Sequence, residues 1–492
     1  MDPTLPTFPH PHAHTWLQTL RVAYIPGQTT PLLEEAAQGL IESFRKQGHT
    51  IYAQPKKDTQ LIFTTAIFGE PLKWRQALLF TARRRYKLDH NPVLFTLVHI
   101  TPKQFQEILA HFAIVLGKDE LDSADYAFPG LASRAFYTLH EQGLRGGPIL
   151  SLVRLVQSQS LSIRVILFVG NEHPQEAYTM DLVGAHPCTQ AANQDSFYTD
   201  LALRMVTAAS TQEVTQHQVV GDIISQERWR SLSTPLAMRR AGLEFGERRF
   251  FTEMVQVENL VDVPAVPDAV SRQYSEGCFA TWDPHLDALV TTITGSARPV
   301  EKDNLSDNEL AIITGLRPDR LGALIHHVAG KRNDPPSSEA VEMLEVDSQL
   351  PRITLGEEWG LAARVPVLRS KLHGHRGIRS YDPQVAEHVF LDEAYYLFPV
   401  SCSTEAQARA ITTAFARAQS LQNPADPRQL AFTVLPGHGI VIAEKWVPGK
   451  VPFQVIWEAM DSGALEIDNR IPQGPLAFTP NEEGKAELTG SF

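Results

Sequence analysis

The sequence is poor in cysteine and contains no long apolar run. Its 492 residues include three cysteines, Cys188, Cys278 and Cys402, whose wide separation excludes the spacing of a zinc finger or a disulfide framework. A reduced, cytoplasmic setting is therefore expected. No run of about 18 apolar residues occurs, so the sequence predicts no transmembrane helix. The stretch 1–16 also lacks the basic-then-apolar order of a signal peptide.

An excess of basic residues is absent too. Lysine and arginine together number 44 against 56 aspartates and glutamates, which leaves a formal charge of −12. This balance argues against nucleic acid or an anionic membrane surface as the partner, and a small-molecule substrate is expected instead. Hydrophobic residues make up 43% of the chain, which is typical of globular proteins, and a chain of this length corresponds to about two to four domains.

The first half of the sequence alternates strand-like apolar runs with helical patterns. Thr30 and Pro31 stand where the N-cap and the first residue of a helix belong, and the apolar periodicity continues to Gly48. This alternation predicts a layered α/β domain with a mostly parallel sheet over residues 1–215, of unknown role. Strands are predicted at 20–25, 60–65, 92–99 and 162–169, and further helices at 71–85, 102–116, 131–142 and 196–208.

The turn at 26–30 joins the first strand to the first helix. Its position before a helix N-terminus suits an anion. It has neither the spaced glycines of a dinucleotide site nor the lysine of a P-loop. A ligand site and a plain strand-to-helix turn are therefore both open interpretations.

Three short motifs in the second half carry chemistry-bearing residues. Pro336 is followed by Ser337, Ser338 and Glu339 at a predicted helix start, which suits an anion. In the segment His373-Gly374-His375, an extended backbone would place both imidazoles on the same side. His438 lies between two glycines, at 437 and 439. Three histidines and one carboxylate suit a Zn²⁺-like ion, although an isolated H-x-H also arises by chance.

The order of these motifs resembles that of the class II aldolase/adducin family, over about residues 274–467. The matches are Asp283-Pro284 to the family's "RDP", 336–339 to "PSSE", 373–375 to "HxH" and 436–439 to "NHG" without its asparagine. Gly277-Cys278-Phe279-Ala280 stands where the family has "GNxS", so the asparagine that helps to hold substrate phosphate is replaced. Cys278 has no histidine beside it in sequence and is expected to be a small buried thiol.

The resemblance implies an αβα sandwich around an antiparallel sheet over residues 266–485, joined to the first domain by a connection at 216–265. It implies that His373, His375 and His438 bind Zn²⁺ or another divalent metal and that Glu339 acts as acid or base. Glu357 and Glu358 compete for that carboxylate role, because the interval from Glu339 to His373 is longer than is usual in the family. Ser337, Ser338, Gly277 and Arg376 are the implied substrate-binding residues.

The implied activity is carbon–carbon lyase chemistry on a hydroxylated, anionic sugar derivative, through a metal-stabilised enediolate. Epimerases and dehydratases of the same superfamily use a similar site, and adducin-like members are non-catalytic binding or scaffold proteins. The resemblance also implies a homo-oligomer, commonly a tetramer. Four basic residues at 369, 371, 376 and 379 fit either an anionic substrate or a solvated basic loop.

Overall fold

A computed structural model describes two compact α/β units. The described residues up to 210 form the first unit, and those from 217 onward form the second. No helix within the described ranges is long and apolar enough to cross a membrane. The described ranges are 19–68, 87, 92–106, 163–181, 184–189, 194–210, 217–248, 250–251, 277–293, 302–318, 320, 322–328, 336–337, 339–374, 376–391, 405–423, 425–435, 439–468 and 477–489.

Within its described residues, the first unit has one seven-stranded sheet and two long helices. The strand order is β2-β1-β3-β4-β5-β6-β7. The pairings from β2 to β5 are parallel, whereas β6 and β7 add on in antiparallel fashion. The elements are β1 Arg21–Ile25, α1 Pro31–Lys46, β2 Thr50–Tyr52, β3 Leu61–Ile67, β4 Val93–Ile100, β5 Ile163–Gly170, β6 Pro174–Asp181, β7 Gly184–Thr189 and α2 Gln194–Ser210.

Helix α1 begins as the sequence predicts. Thr30 has an extended backbone and its hydroxyl accepts a hydrogen bond from Leu33 N, while Pro31 fills the first helical position, where no N–H is needed. The apolar face of α1, which includes Leu40 and Phe44, packs in one hydrophobic core with the sheet and α2. The predicted helices at 71–85 and 131–142 lie outside the described residues, and only residues 102–106 of the one predicted at 102–116 are described.

The second unit is built on a nine-stranded sheet of order β17-β18-β19-β15-β9-β10-β11-β12-β8. Its central pairings are antiparallel, and the outermost pairing at each edge is parallel. The strands of this sheet are β8 Gln218–Ile224, β9 Cys278–Asp283, β10 Ala288–Thr292, β11 Leu310–Leu316, β12 Ala323–Val328, β15 Leu368–Gly374, β17 Ala386–His388, β18 Leu430–Leu435 and β19 Gly439–Lys445.

Helices and smaller sheets complete the second unit. One small sheet is a two-stranded hairpin and the other has four strands in the order β20-β16-β22-β21. The remaining elements are α3 Gln226–Ser231, α4 Ser233–Glu247, α5 Ala340–Glu345, β13 Arg352–Thr354, β14 Arg364–Pro366, β16 Gly377–Tyr381, α6 Glu405–Ala416, α7 Gln419–Gln422, α8 Gln454–Asp461, β20 Leu465–Asp468, β21 Phe478–Pro480 and β22 Ala486–Leu488.

The large sheet separates an apolar face from a polar one near its centre. Phe279 of β9 packs against Phe245 of α4, and Leu372 of β15 belongs to the same hydrophobic core. Because strand side chains alternate, the residues next to these in sequence point to the opposite face. There His373 meets Glu339, just before α5, and Lys371 meets the 3-10 helix that follows α5.

The sequence predicts that the stretch 216–265 is a connecting segment, but its described residues form elements of the second unit. β8, α3 and α4 all lie within it, and the structure assigns its described residues to the second unit. β8 pairs in parallel with β12 at the edge of the large sheet. Trp229 of α3 and Phe245 of α4 are buried in the core of that unit. The second unit therefore begins well before residue 266, at the latest with His217, whose ring accepts a hydrogen bond from Ala323 N.

Candidate functional site

His373 is held rigidly at the centre of the large sheet. Strand β15 pairs with β9 on one side and β19 on the other, and His373 is only 1% exposed. Its Nδ1 lies 3.0 Å from the backbone oxygen of Ile440. Because a carbonyl oxygen can only accept, Nδ1 must carry a proton and donate to it. In the neutral ring, Nε2 then has the lone pair that a metal ion or a proton would take.

Glu339 faces that nitrogen. Its Oε1 lies 3.4 Å from His373 Nε2, and the residue is 7% exposed. Hydrogen bonds of the preceding turn fix its position: Ser337 N donates to Thr292 O of β10, and Ala340 N donates to Ser337 O. The predicted "PSSE" segment therefore delivers its glutamate to the first histidine of the predicted "HxH" motif.

The two competing glutamates lie elsewhere. Glu357 and Glu358 are part of an exposed 3-10 helix, Glu357–Trp359, in the interval between α5 and β15. Of the three carboxylates considered from the sequence, Glu339 is the one that the structure brings to His373.

Three predicted site residues, Ser338, His375 and His438, lie outside the described residues. Among the residues that the structure does describe, no group of three or more His, Cys, Asp or Glu side chains is placed to hold a metal ion. The described part of the predicted metal site is thus the His373–Glu339 pair.

Gly277 and Cys278 begin strand β9 beside this pair. Gly277 has a φ of +88°, and a Cβ there would lie 2.5 Å from His373 O, so only glycine allows the two strands to approach this closely. Cys278 is the direct cross-strand partner of His373. The Ser337 side chain forms a hydrogen bond with its thiol, and burial together with the charge of Glu339 raises the pKa of Cys278 well above its ordinary value.

The sequence did not reveal that Cys278 lies beside a histidine. No histidine is next to Cys278 in sequence, whereas strand pairing places it opposite His373, 95 positions further along the chain. Alternation within the two strands would have placed both side chains on one face, but only if the register had been known.

The four basic residues near the motif do not gather around one anion. Lys371 is fully buried and forms an ion pair with Asp347, which is buried as well. Burial lowers the pKa of Lys371 and raises the pKa of Asp347, because it disfavours the charged form of each. Arg379 is exposed and lies 4.0 Å from Glu466.

The other two arginines make separate contacts. Arg369 lies over the rings of Trp359 and Trp446, with its guanidinium carbon 5.2 and 5.0 Å from the ring centres. Burial lowers its pKa to about 10. Arg376, a predicted substrate-binding residue, is buried, and its Nε donates to Phe250 O at 3.2 Å. Neither a solvated basic loop nor a shared anion site describes these four side chains.

The turn at 26–30 in the first unit is tied to the end of β3. Gln28 N donates to Thr65 O at 3.1 Å, and the Gln28 side-chain oxygen accepts from Ile67 N at 2.8 Å. Gly27 N donates to the Thr65 hydroxyl, and a Cβ on Gly27 would lie 2.1 Å from Thr65 O. These contacts favour the structural interpretation of the turn over a ligand site.

The chain was compared with known protein families, with curated proteins and with solved structures. None of the three comparisons finds a match.

Proposed function

We propose that the second unit is a divalent-metal-dependent lyase of the aldolase type, acting on a hydroxylated, anionic sugar derivative. The proposal is supported above all by one observation: His373 Nε2 and Glu339 Oε1 face each other at 3.4 Å inside the protein. In a neutral ring with its proton on Nδ1, both of these atoms would be acceptors. Two buried acceptors at this distance are stabilised by a proton or a cation that lies between them.

The donor set fits a divalent metal. A neutral imidazole whose second nitrogen donates to a backbone carbonyl is the usual form of a metal-ligating histidine, and His373 has this arrangement with Ile440 O. In the proposed site, His373 holds the ion together with His375 and His438, which the sequence motifs predict. When bound, such an ion supplies Lewis-acid stabilisation to a substrate oxyanion.

The protein's own residues would supply proton transfer and positioning. Glu339 moves a proton at the substrate carbon next to the carbonyl, as a carboxylate within reach can do. Ser337, Ser338 and the backbone at Gly277 position the substrate at the turn before α5. Arg376 is proposed as the contact for its negative charge. Carbon–carbon cleavage, epimerisation and dehydration would all use a proton transfer at Glu339. Of these three activities, we propose carbon–carbon cleavage.

We also propose that the second unit has the αβα sandwich architecture of a class II aldolase. A largely antiparallel sheet with α4 on one face and α5 on the other is compatible with a class II aldolase-like αβα sandwich. We place the start of this domain before β8 and not at residue 266. Homo-oligomer formation, as a tetramer, is part of the proposal and is measurable by light scattering.

Metal content is the first test. The full chain without a histidine tag is purified, and its bound metals are measured by mass spectrometry. We expect about one divalent ion per chain, which is lost in His373→Ala. His285→Ala, in an exposed turn, is the matched control and should keep the ion. Wild-type protein that binds no ion would contradict the lyase and favour an adducin-like binding role.

Proton exchange tests the role of Glu339 without knowledge of the substrate. Dihydroxyacetone and its phosphate are incubated with the loaded protein in D₂O, and loss of the carbon-bound protons is followed by NMR. We expect Glu339→Gln to slow exchange about 10²–10⁴-fold, and Glu358→Gln, on the surface, to leave it unchanged. If exchange is equally fast in both variants, Glu339 is not the acid or base.

A further inference from the structure

His388 is a buried imidazole whose polar atoms are unpaired. It is the last residue of β17 and is 7% exposed. Neither ring nitrogen has a hydrogen-bond partner among the residues that the structure describes. A neutral imidazole has one N–H donor and one acceptor, and to bury both unpaired costs free energy. Because water would satisfy both atoms, they favour a state in which the ring is exposed.

Aromatic rings surround this imidazole. Between ring centres, Phe390 lies 4.2 Å from His388, and Phe432 and Phe478 each lie 4.9 Å from it. Tyr381 is the fourth neighbour, at 6.3 Å. These rings come from different elements, namely β18, β21, β16 and the segment after β17. His388 is therefore enclosed where the edge of the large sheet meets the four-stranded sheet.

The hairpin of β21 and β22, residues 478–488, is the part of this enclosure with the fewest strand pairings. In the described residues β22 pairs with β16 at two positions, and β21 is the outermost strand of its sheet. In contrast, β18 pairs with β19 at six positions and also with β17. Loss of the 478–488 hairpin from the cluster would remove the ring of Phe478 and admit water to His388.

The acidic groups of the surrounding elements do not face the imidazole. β18 and β21 contain no titratable residue. Burial raises the pKa of Tyr381 above its ordinary value, so this side chain is neutral in acid. Glu387 precedes His388 in β17, and Glu487 follows Ala486, the strand partner of Tyr381. Because strand side chains alternate, both glutamates point away from the aromatic cluster.

The basic groups of these elements pair with other carboxylates. Arg428, before β18, lies 3.4 Å from Glu387. Arg379 of β16 and Lys485, before β22, lie 4.0 and 3.6 Å from Glu466. Within the described residues, a proton on the buried imidazole would therefore have no counter-charge, and burial accordingly lowers the pKa of this ring to about 3.

We propose that the 478–488 hairpin is released by acid: protonation of His388 detaches it from the edge of the large sheet, and water then solvates the imidazolium. In the closed state the charged ring is disfavoured, because aromatic faces attract a cation less strongly than the water that they exclude. None of these residues belongs to the proposed metal site, so the release is independent of the proposed lyase activity.

The two pKa values of the ring set the size of the effect and its sign. The pKa is about 3 in the closed state and 6.5 in water. The open state binds the proton more tightly, so its population relative to the closed state rises as the pH falls below 6.5. Between pH 8 and pH 5 this rise amounts to about 30-fold.

Hydrogen exchange of the full chain measures the opening. The protein is exchanged in D₂O at pH 8 and at pH 5, peptides are analysed by mass spectrometry, and the intrinsic exchange rate at each pH is divided out. We expect protection of residues 478–488 to fall about 30-fold at pH 5 in the wild type. His388→Phe takes up no proton and should show equal protection at both pH values. His285→Ala, in an exposed turn, is the matched control and should keep the fall.

Peptides from β18 distinguish local release from global unfolding. Protection of residues 430–435 should change far less than that of the 478–488 hairpin. An equal fall in both segments, a hairpin without protection at pH 8, or an unchanged fall in His388→Phe would each overturn the proposal. If His388→Phe does not fold, His388→Leu, with a smaller apolar side chain, provides the same comparison.

Discussion

Glu444 should make the free energy of unfolding of the second unit fall as the pH rises from about 5 to about 8. This residue lies on β19, is 1% exposed and accepts a hydrogen bond from Phe453 N, just before α8. Burial raises its pKa from 4.5 to about 7. Hydrogen bonds from Ser370 and Phe453 and the charge of Arg369 oppose that rise without cancelling it.

The sign follows from where the proton is held. The folded protein keeps the Glu444 proton up to about pH 7, whereas the unfolded chain loses it near pH 4.5. Between these values the folded state binds more protons, so the free energy of unfolding falls as the pH rises. At about 1.4 kcal/mol per pKa unit, the displacement from 4.5 to about 7 corresponds to about 3 kcal/mol lost by pH 8.

Glu444→Gln removes the titration while keeping an oxygen that accepts from Phe453 N. We expect the variant to match the wild type near pH 5 and to exceed its free energy of unfolding by about 3 kcal/mol near pH 8. Urea denaturation at both pH values, followed by tryptophan fluorescence, measures this, since five of the seven tryptophans lie in the second unit. Exposed Glu357→Gln is the matched control.

An equal stability difference between Glu444→Gln and the wild type at the two pH values would refute the reasoning. It would mean that the carboxyl does not titrate in this window in the folded protein. Other groups do not obscure the comparison. Burial lowers the pKa of His49 and His217 to about 4 and that of His388 to about 3, but these rings are present in both proteins and cancel in the difference.

Three further substitutions test other parts of the fold, each by urea denaturation. Gly277→Ala should lower the free energy of unfolding by more than about 2 kcal/mol, because Gly277 has a φ of +88° and a Cβ there would lie 2.5 Å from a backbone oxygen of β15. Gly315→Ala is the control and should lower it clearly less, because a Cβ at Gly315 would have its nearest neighbour at 3.7 Å. Lys371→Met should cost about 3–5 kcal/mol by leaving Asp347 unpaired, and adding Asp347→Leu should recover most of the loss if the pair acts as argued. In the folded protein the pKa of His388 is about 3, below the 6.5 of the unfolded ring. The wild type therefore loses about 3 kcal/mol of its free energy of unfolding as the pH falls from 6.5 to 4. His388→Phe removes this loss, so the stability of the variant relative to the wild type should be greater at pH 4 than at pH 7. A flat pH profile of that difference would contradict the burial argument.

Local signals in the sequence predict the elements well where chemistry and periodicity agree. Thr30 and Pro31 mark the start of α1, and the apolar runs at 60–65 and 92–99 become β3 and β4. The "PSSE" segment predicts that Glu339 stands at a helix start, and it does. Each of these depends on residues a few positions apart, which a sequence displays directly.

Long-range pairing could not be predicted in the same way. The neighbours of Lys371 and Cys278 are set by strand register and by the path of the 3-10 helix after α5, which no local pattern encodes. The basic residues near the "HxH" motif therefore suggested one anion site, whereas alternation and packing send them to different partners. The prediction of a connecting segment at 216–265 is wrong for a similar reason, because β8 is recognisable as a strand only through its pairing with β12, about a hundred positions later.

The position of β8 has a consequence for how this protein is made. Its register partner is synthesised about a hundred residues later, as the hydrogen bond between His217 and Ala323, 106 positions apart, illustrates. During translation β8 must wait until β9, β10, β11 and β12 have emerged, and closing so long a loop slows folding. A truncated chain that starts after residue 225 would leave the backbone of β12 as an open edge that invites aggregation. Expression of the second unit alone should therefore begin before His217.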